Sequence, residues 1–314
     1  MSRGLRRAAH LAAVAVLVAL AVVFARHVDW RATAASLRGA DPLLLALALV
    51  ANLVSLALKG VRWWVFLRGV GVRSLSLVLR ATFAGASLNN VVVAQGGDAA
   101  RVLAVSRGAS VPASHVFAAL ALERLLDGAC YLLLLIGAAW VLPLPATISR
   151  WRPAAAVLLA VVVIALGLVS LRAAPASSGA DGARMLARLV NRLRAAASLV
   201  ATPRRIAAGA VLSIAAWALQ IACYHLTARA AHLALPLTAS VAALLSVGVG
   251  FLVRATPGNL GVFQVIYALA MRSFGVAEGP AVAAAILIQT IQVLPVMLLG
   301  SLAAPSLVTR REQL

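Results

Sequence analysis

Long apolar runs separated by short, arginine-bearing connectors constrain this chain more than any other feature. Residues 11–25, 42–66, 115–142, 153–171, 206–228 and 280–304 are apolar over most of their length. A helix of roughly 20 such residues crosses a hydrocarbon core of roughly 30 Å. In lipid every backbone amide needs a partner within the protein, and a helix supplies one for each within its own segment. Composition closes off a water-soluble core: 63% of the residues are hydrophobic and 11% charged, with a mean hydropathy of +1.01, well outside the range of soluble domains. The expectation is an all-α integral membrane protein, a single transmembrane domain over residues 1–314, with about six full spans. The first run follows Arg3, Arg6 and Arg7 and also fits a secretory signal peptide; with further spans behind it, an uncleaved first span is expected.

A formal charge of +20 would suit nucleic acid if the arginines formed an arm. They lie between apolar runs instead, the distribution that marks cytoplasmic loops, so no nucleic-acid partner is expected. Three clusters orient the chain: Arg3, Arg6 and Arg7; Lys59, Arg62, Arg68, Arg73 and Arg80; and the connector 172–205. All three are expected in the cytoplasm, as are both termini, in a bacterial inner membrane. The connector 142–153, with Pro143 and Pro145 between Trp140 and Trp151, is expected outside. Within 172–205, Arg184, Arg188 and Arg192 share one face and Leu186, Leu189, Val190 and Leu193 another; this reads as a basic amphipathic helix on the inner leaflet, or as a solvated loop. Cys130 and Cys223 lie in apolar runs and read as packed thiols.

Two stretches resist the pattern of plain spans. Residues 78–97 carry Asn89, Asn90, Gln95, Gly96 and Gly97, and residues 238–273 are broken by Arg254, Pro257, Gly258, Asn259 and Gly261. The charge orientation requires each to cross an even number of times, which a broken or re-entrant hairpin satisfies. Such backbone is tolerated at membrane depth only where it is buried in protein or lines a cavity. The resulting plan has residues 1–41 as first span and outer loop, 42–142 as repeat one, 143–205 as linking span and basic segment, and 206–314 as repeat two. The repeats run in opposite directions, so the two hairpins oppose each other in an inverted repeat, as in many transporters.

Only eight acidic residues occur in the chain, and Glu123 and Asp127 fall four apart on one helical face beside Arg124. A charge at mid-membrane costs about 2.5 to 3.5 kcal/mol on insertion scales. Either these residues form a structural ion pair with Arg101 or Arg124, or they bind and gate. Asp98 and Arg101 follow Gly96 and Gly97, where turn amides can face an anion such as a lipid phosphate. In the second half Gln264 and Gln289 are the matching polar positions, and Arg254 is either a snorkelling residue or a headgroup ligand. The candidate substrate-binding set is Asn89, Asn90, Gly96, Gly97, Asp98, Arg101, Glu123, Arg124, Asp127, Arg254, Pro257, Gly258, Asn259, Gly261, Gln264 and Gln289. Nucleotide loops, zinc-type histidine pairs and nucleophile elbows are absent from the sequence, so no catalysis, cofactor or metal is expected. His225, His232, Trp30, Trp63 and Trp64 suit interface positions, and Trp217 suits packing.

Three short patterns together, Gly96-Gly97-Asp98-x-x-Arg101, Glu123-Arg124-x-x-Asp127 and Pro257-Gly258-x-x-Gly261-x-Phe263, resemble the transmembrane domain of the lysylphosphatidylglycerol synthase family, also described as flippase-like membrane proteins. The resemblance extends over nearly the whole chain. The family pattern favours proline, glycine, glutamate and arginine where this chain has Gln95, Asn259, Gln264 and Gln289, and the last two look like a neutral replacement of a charge pair. The resemblance implies movement of a modified or anionic lipid between leaflets, with any synthase a separate polypeptide. Two functions are therefore expected: a flippase-like transporter of a phospholipid or polyprenyl-phosphate type of lipid, or a non-transporting membrane partner of a lipid-modifying or glycosyl-transferring enzyme.

Overall fold

The computed structural model describes residues 30–91, 96–141, 201–250 and 259–304, with the single positions 153, 157 and 199. The expected spans 11–25 and 153–171, the connector 142–153 and nearly all of the basic connector 172–205 lie outside the described residues. Among the described residues the chain is helical throughout and has no strand: α1 (Trp30–Arg38), α2 (Pro42–Leu67), α3 (Leu75–Val91), α4 (Gly96–Gly108), α5 (Ala113–Val141), α6 (Pro203–Ala230), α7 (Leu237–Gly250), α8 (Val262–Arg272) and α9 (Glu278–Ala303).

Three of these helices are long and apolar enough to cross a membrane: Pro42–Val70, which includes a short 3-10 turn after α2, Pro203–Ala230 and Glu278–Ala303. At 1.5 Å per residue the shortest of them, 26 residues, measures about 39 Å. The 29 residues of α5 are as long but hold Glu123, Arg124 and Asp127.

The two broken segments are each built from a pair of short helices. Helices α3 and α4, of 17 and 13 residues, and α7 and α8, of 14 and 11, are each about 17 to 26 Å long, short of the hydrocarbon thickness. In the first pair α3 ends at Val91 and α4 begins at Gly96. Gly96 and Gly97 are therefore not a turn between the two; they open α4. The first unit also continues to Gly108, past the end at residue 97 read from the sequence. Gly85 of α3 lets α4 come close, since a Cβ there would stand 2.8 Å from the Gly97 carbonyl oxygen and 3.2 Å from Arg101 Cβ.

Two compact units divide the chain. One comprises residues 53–87, 96–219 and 297–314. Its apolar core gathers Trp63, Phe66 and Leu67 of α2, Val78 and Ala81 of α3, Val102 and Val105 of α4, and Val116, Leu120, Leu122 and Leu126 of α5. Helix α6 approaches through Gly209, where a Cβ would come within 2.5 Å of the Phe66 ring.

The other unit comprises residues 1–52, 88–95 and 220–296. Here Asp41 caps α2, its Oδ1 accepting the Leu43 and Leu44 amides at 2.8 and 3.2 Å, while Pro42 occupies the first helical position, where a missing N–H costs nothing. Pro295 interrupts α9 and cannot donate to the Ile291 carbonyl one turn back. Asn52 Nδ2 donates to that carbonyl at 3.0 Å instead. His225 and His232, read as interfacial, make structural links: His225 Nδ1 lies 3.2 Å from Ser240 Oγ, and His232 Nε2 lies 2.6 Å from the Gly39 carbonyl oxygen.

Candidate functional site

The charged residues of the first unit form one network. The helical repeat places Glu123 and Asp127 on the same face of α5, one turn apart, and Arg62 of α2 reaches both. Its Nη1 and Nη2 donate to Asp127 Oδ1 and Oδ2 at 2.8 and 3.0 Å, the two-pronged geometry that makes arginine–carboxylate pairs strong. Nη1 also donates to Ser213 Oγ of α6 at 2.6 Å, and Nη2 lies 3.4 Å from Glu123 Oε1.

Glu123 is shared. Arg101 of α4 places Nη2 3.2 Å from Glu123 Oε2 and its guanidinium 4.6 Å from the centre of the Trp63 ring. Asp98, one turn before Arg101, divides its carboxylate: Oδ1 lies 3.3 Å from Arg101 Nε and Oδ2 lies 2.5 Å from Arg124 Nη2. The result is an alternating sequence, Asp127, Arg62, Glu123, Arg101, Asp98, Arg124, across α2, α4 and α5. Lys59, one turn before Arg62, stands 5.8 Å from the centre of the Trp217 ring, which packs against Tyr131 at 5.9 Å.

Exposure is least in the middle of the network, rises to 19% at the Asp127 end and is highest at Arg124. The side chains of Arg62, Glu123 and Arg101 are 0%, 4% and 5% exposed, whereas that of Arg124 is 52% exposed. Burying charges this completely is not itself stabilising, since desolvation offsets the Coulomb attraction. The interior is also incompletely satisfied: Arg62 Nε, Arg101 Nε and Glu123 Oε2 are buried without a hydrogen bond.

Asp98, Arg101, Glu123, Arg124 and Asp127 are therefore brought together. Of the two partners offered, Arg101 takes Glu123, whereas Arg124 turns to Asp98 and Asp127 takes Arg62. Arg62, Lys59, Ser213 and Trp63 were not among the expected site residues. Lys59 and Arg62 read from the sequence as cytoplasmic topology markers; Arg62 is fully buried and belongs to the network, with Lys59 half-buried beside it. The available signal was two cations three residues apart inside a continuous 26-residue apolar helix, which marks intramembrane charge rather than a loop. Trp63, read as interfacial, is fully buried. Trp64 donates from Nε1 to the Arg73 carbonyl at 3.1 Å under the Arg68 guanidinium.

A smaller polar cluster occupies the second unit. Gly261 and Asn259 adopt positive φ, 84° and 53°, and Gln264 Oε1 accepts the Gly261 amide at 2.8 Å, capping α8. Gln264 Nε2 donates to Gln289 Oε1 of α9 at 2.5 Å, so the two neutral residues do pair. Phe263 and Tyr267 stack at 6.3 Å, and Tyr224 lies tilted 6.2 Å from Phe263. Asn259 Oδ1 is buried without a partner. Asn89 and Asn90 stand partly exposed in the last turn of α3. Arg254, Pro257 and Gly258 lie outside the described residues.

Comparison with known proteins agrees with the patterns. Residues 10–300 match the family model described as the lysylphosphatidylglycerol synthase TM region. A curated relative, glycosyltransferase AglD of Haloferax volcanii, is 33% identical over 123 residues, 39% of this chain and 20% of that protein. The matched segment thus spans one fifth of the relative's length.

Proposed function

The chain belongs to the lysylphosphatidylglycerol synthase transmembrane-region family, and from that membership and the graded charge network we propose that it is a flippase-like transporter. On this reading it moves an anionic or modified lipid between leaflets of a bacterial cytoplasmic membrane. The observation that carries the reading is Arg124: a half-exposed guanidinium, held by Asp98 at the most exposed end of a network whose middle, Arg62, Glu123 and Arg101, is buried. A headgroup binds there while its acyl chains stay in lipid, and the two broken helix pairs supply the re-entrant, opposed halves of an inverted repeat. The protein performs no chemistry on the lipid.

The test is reconstitution into vesicles holding a trace of fluorescent phosphatidylglycerol, with leaflet exchange followed by quenching from outside. The wild-type protein is expected to exchange the probe. Arg124→Gln, altering only the half-exposed end, is expected to fold and insert normally yet lose most exchange. Full exchange by a well-folded Arg124→Gln variant would remove the headgroup role from this residue.

The similarity to a glycosyltransferase favours a second reading: a non-transporting partner that presents a phospholipid or polyprenyl-phosphate to a separate lipid-modifying or glycosyl-transferring enzyme. Wild-type vesicles that retain co-purified lipid but exchange no probe would select it. Mass spectrometry of that lipid identifies the class in either case.

A further inference from the structure

Each arginine of the network already faces a carboxylate: Arg62 faces Asp127 and Glu123, Arg101 faces Glu123 and Asp98, and Arg124 faces Asp98. Three guanidinium groups close on three carboxylates. An arriving anion therefore competes with an internal acid for the charge of any of these arginines. The network decides which acid can yield. Glu123 is 4% exposed and locked between Arg62 and Arg101, and Asp127 is gripped by both Nη atoms of Arg62. Asp98 alone among the three sits off α5, in the first turn of the short helix α4, and alone pairs with the half-exposed Arg124.

The way Asp98 is used matters as much as where it is. Its two oxygens are split between two arginines, Oδ2 on Arg124 Nη2 and Oδ1 near Arg101 Nε. The second contact is poor: Arg101 Nε lies 3.3 Å away yet has no hydrogen bond and is buried. A buried donor left unmade is costly. A phosphodiester also offers two non-bridging oxygens that share its charge, but on a tetrahedral centre that is not tied to the α4 backbone. It can bridge the same two arginines with better alignment, in the geometry guanidinium groups favour for phosphate. The first turn of a helix favours negative charge whichever group carries it.

Resting on the headgroup reading above, we infer that Asp98 is a tethered stand-in for the ligand. The site takes a phosphate ester that displaces the Asp98 carboxylate from Arg124 and reaches the Arg101 Nε–H, so the strength of the internal pair sets the affinity. Removing the competitor then tightens binding, whereas loss of a ligand-binding residue would weaken it.

The experiment titrates dihexanoyl phosphatidylglycerol into the full-length protein in a nonionic detergent, with dihexanoyl phosphatidylcholine as zwitterionic control and inorganic phosphate as a third arm. Asp98→Asn is expected to bind phosphatidylglycerol roughly two- to fivefold more tightly than wild type, the size expected for loss of a half-exposed ion-pair competitor. Adding Arg124→Gln is expected to abolish the gain. Phosphate competing as well as the lipid would assign the site to free phosphate, and competition by the lipid alone assigns it to a headgroup; either supports displacement. Unchanged or weaker binding by Asp98→Asn, with wild type binding normally, overturns the stand-in role and leaves the headgroup reading intact. Failure of wild type and variant alike to prefer phosphatidylglycerol over phosphatidylcholine overturns both. Asp98→Ser repeats the measurement if the amide variant does not fold, and failure of both to fold would make Asp98 a brace and sink the inference.

Discussion

Arg62 has no exposed surface and spends its guanidinium on Asp127, Ser213 and Glu123. Removing one member of a buried pair strands the other, at about 3 to 5 kcal/mol, while replacing both by apolar residues is often close to neutral. Arg62→Met should therefore lower the thermal midpoint of the detergent-solubilised protein sharply, and Arg62→Met with Asp127→Leu should recover most of the loss. A single variant as stable as wild type would mean that Asp127 is not stranded by losing its partner. Arg124 is the contrast, because a half-exposed pair is worth roughly 0 to 1 kcal/mol, so Arg124→Gln should leave the midpoint nearly unchanged. The acidic half of this network was legible in the sequence, because Glu123 and Asp127 at one-turn spacing are conspicuous in a chain with eight acids. Its basic half was only partly so. Arg62 carries the same local signature as an arginine at a cytoplasmic boundary, and only its packing against α5 and α6 distinguishes the two.

Helix α9 contains its own weak point and its repair. Pro295 leaves the Ile291 carbonyl without its helical donor, and Asn52 supplies one from α2. Asn52→Leu should cost about 1 to 3 kcal/mol, the penalty of a buried acceptor left unpaired. In a Pro295→Ala background, where the helical amide returns, the same substitution should be close to neutral. Equal cost in both backgrounds would detach Asn52 from the proline. For the first broken unit, cysteines at Ser74 and Ser110, both exposed and bracketing α3 and α4, should label from the same side if the pair enters and returns. Labelling from opposite sides would end the re-entrant reading. That both segments divide into short helices was readable from their Gly, Asn and Pro content; where the second helix of the first pair begins was not, because a glycine pair reads first as a turn and here lies in the opening turn of a helix.

For the whole molecule, the arginine distribution predicts that a cysteine at residue 180 labels only from the cytoplasmic side in intact cells, and labelling from outside would invert the topology. The count that leads there must now be taken without Arg62, which belongs to the network, and Lys59 beside it, yet Arg68, Arg73 and Arg80 still point the same way. The membrane class of the chain was fully legible because lipid imposes a crude demand, enough apolar residues in a row. The network obeys a finer one, the meeting of residues 62, 101 and 123 from three helices, and no local pattern encodes it. The same meeting orders biogenesis. When α2 leaves the ribosome, Arg62 has neither of its α5 carboxylates, because α5 comes about 50 residues later. An isolated α2 must hold its two cations near a lipid headgroup or water. A nascent chain arrested before Ala113 therefore holds Arg62 with neither of its α5 carboxylates, and its α2 should need a water or headgroup contact that the finished network replaces.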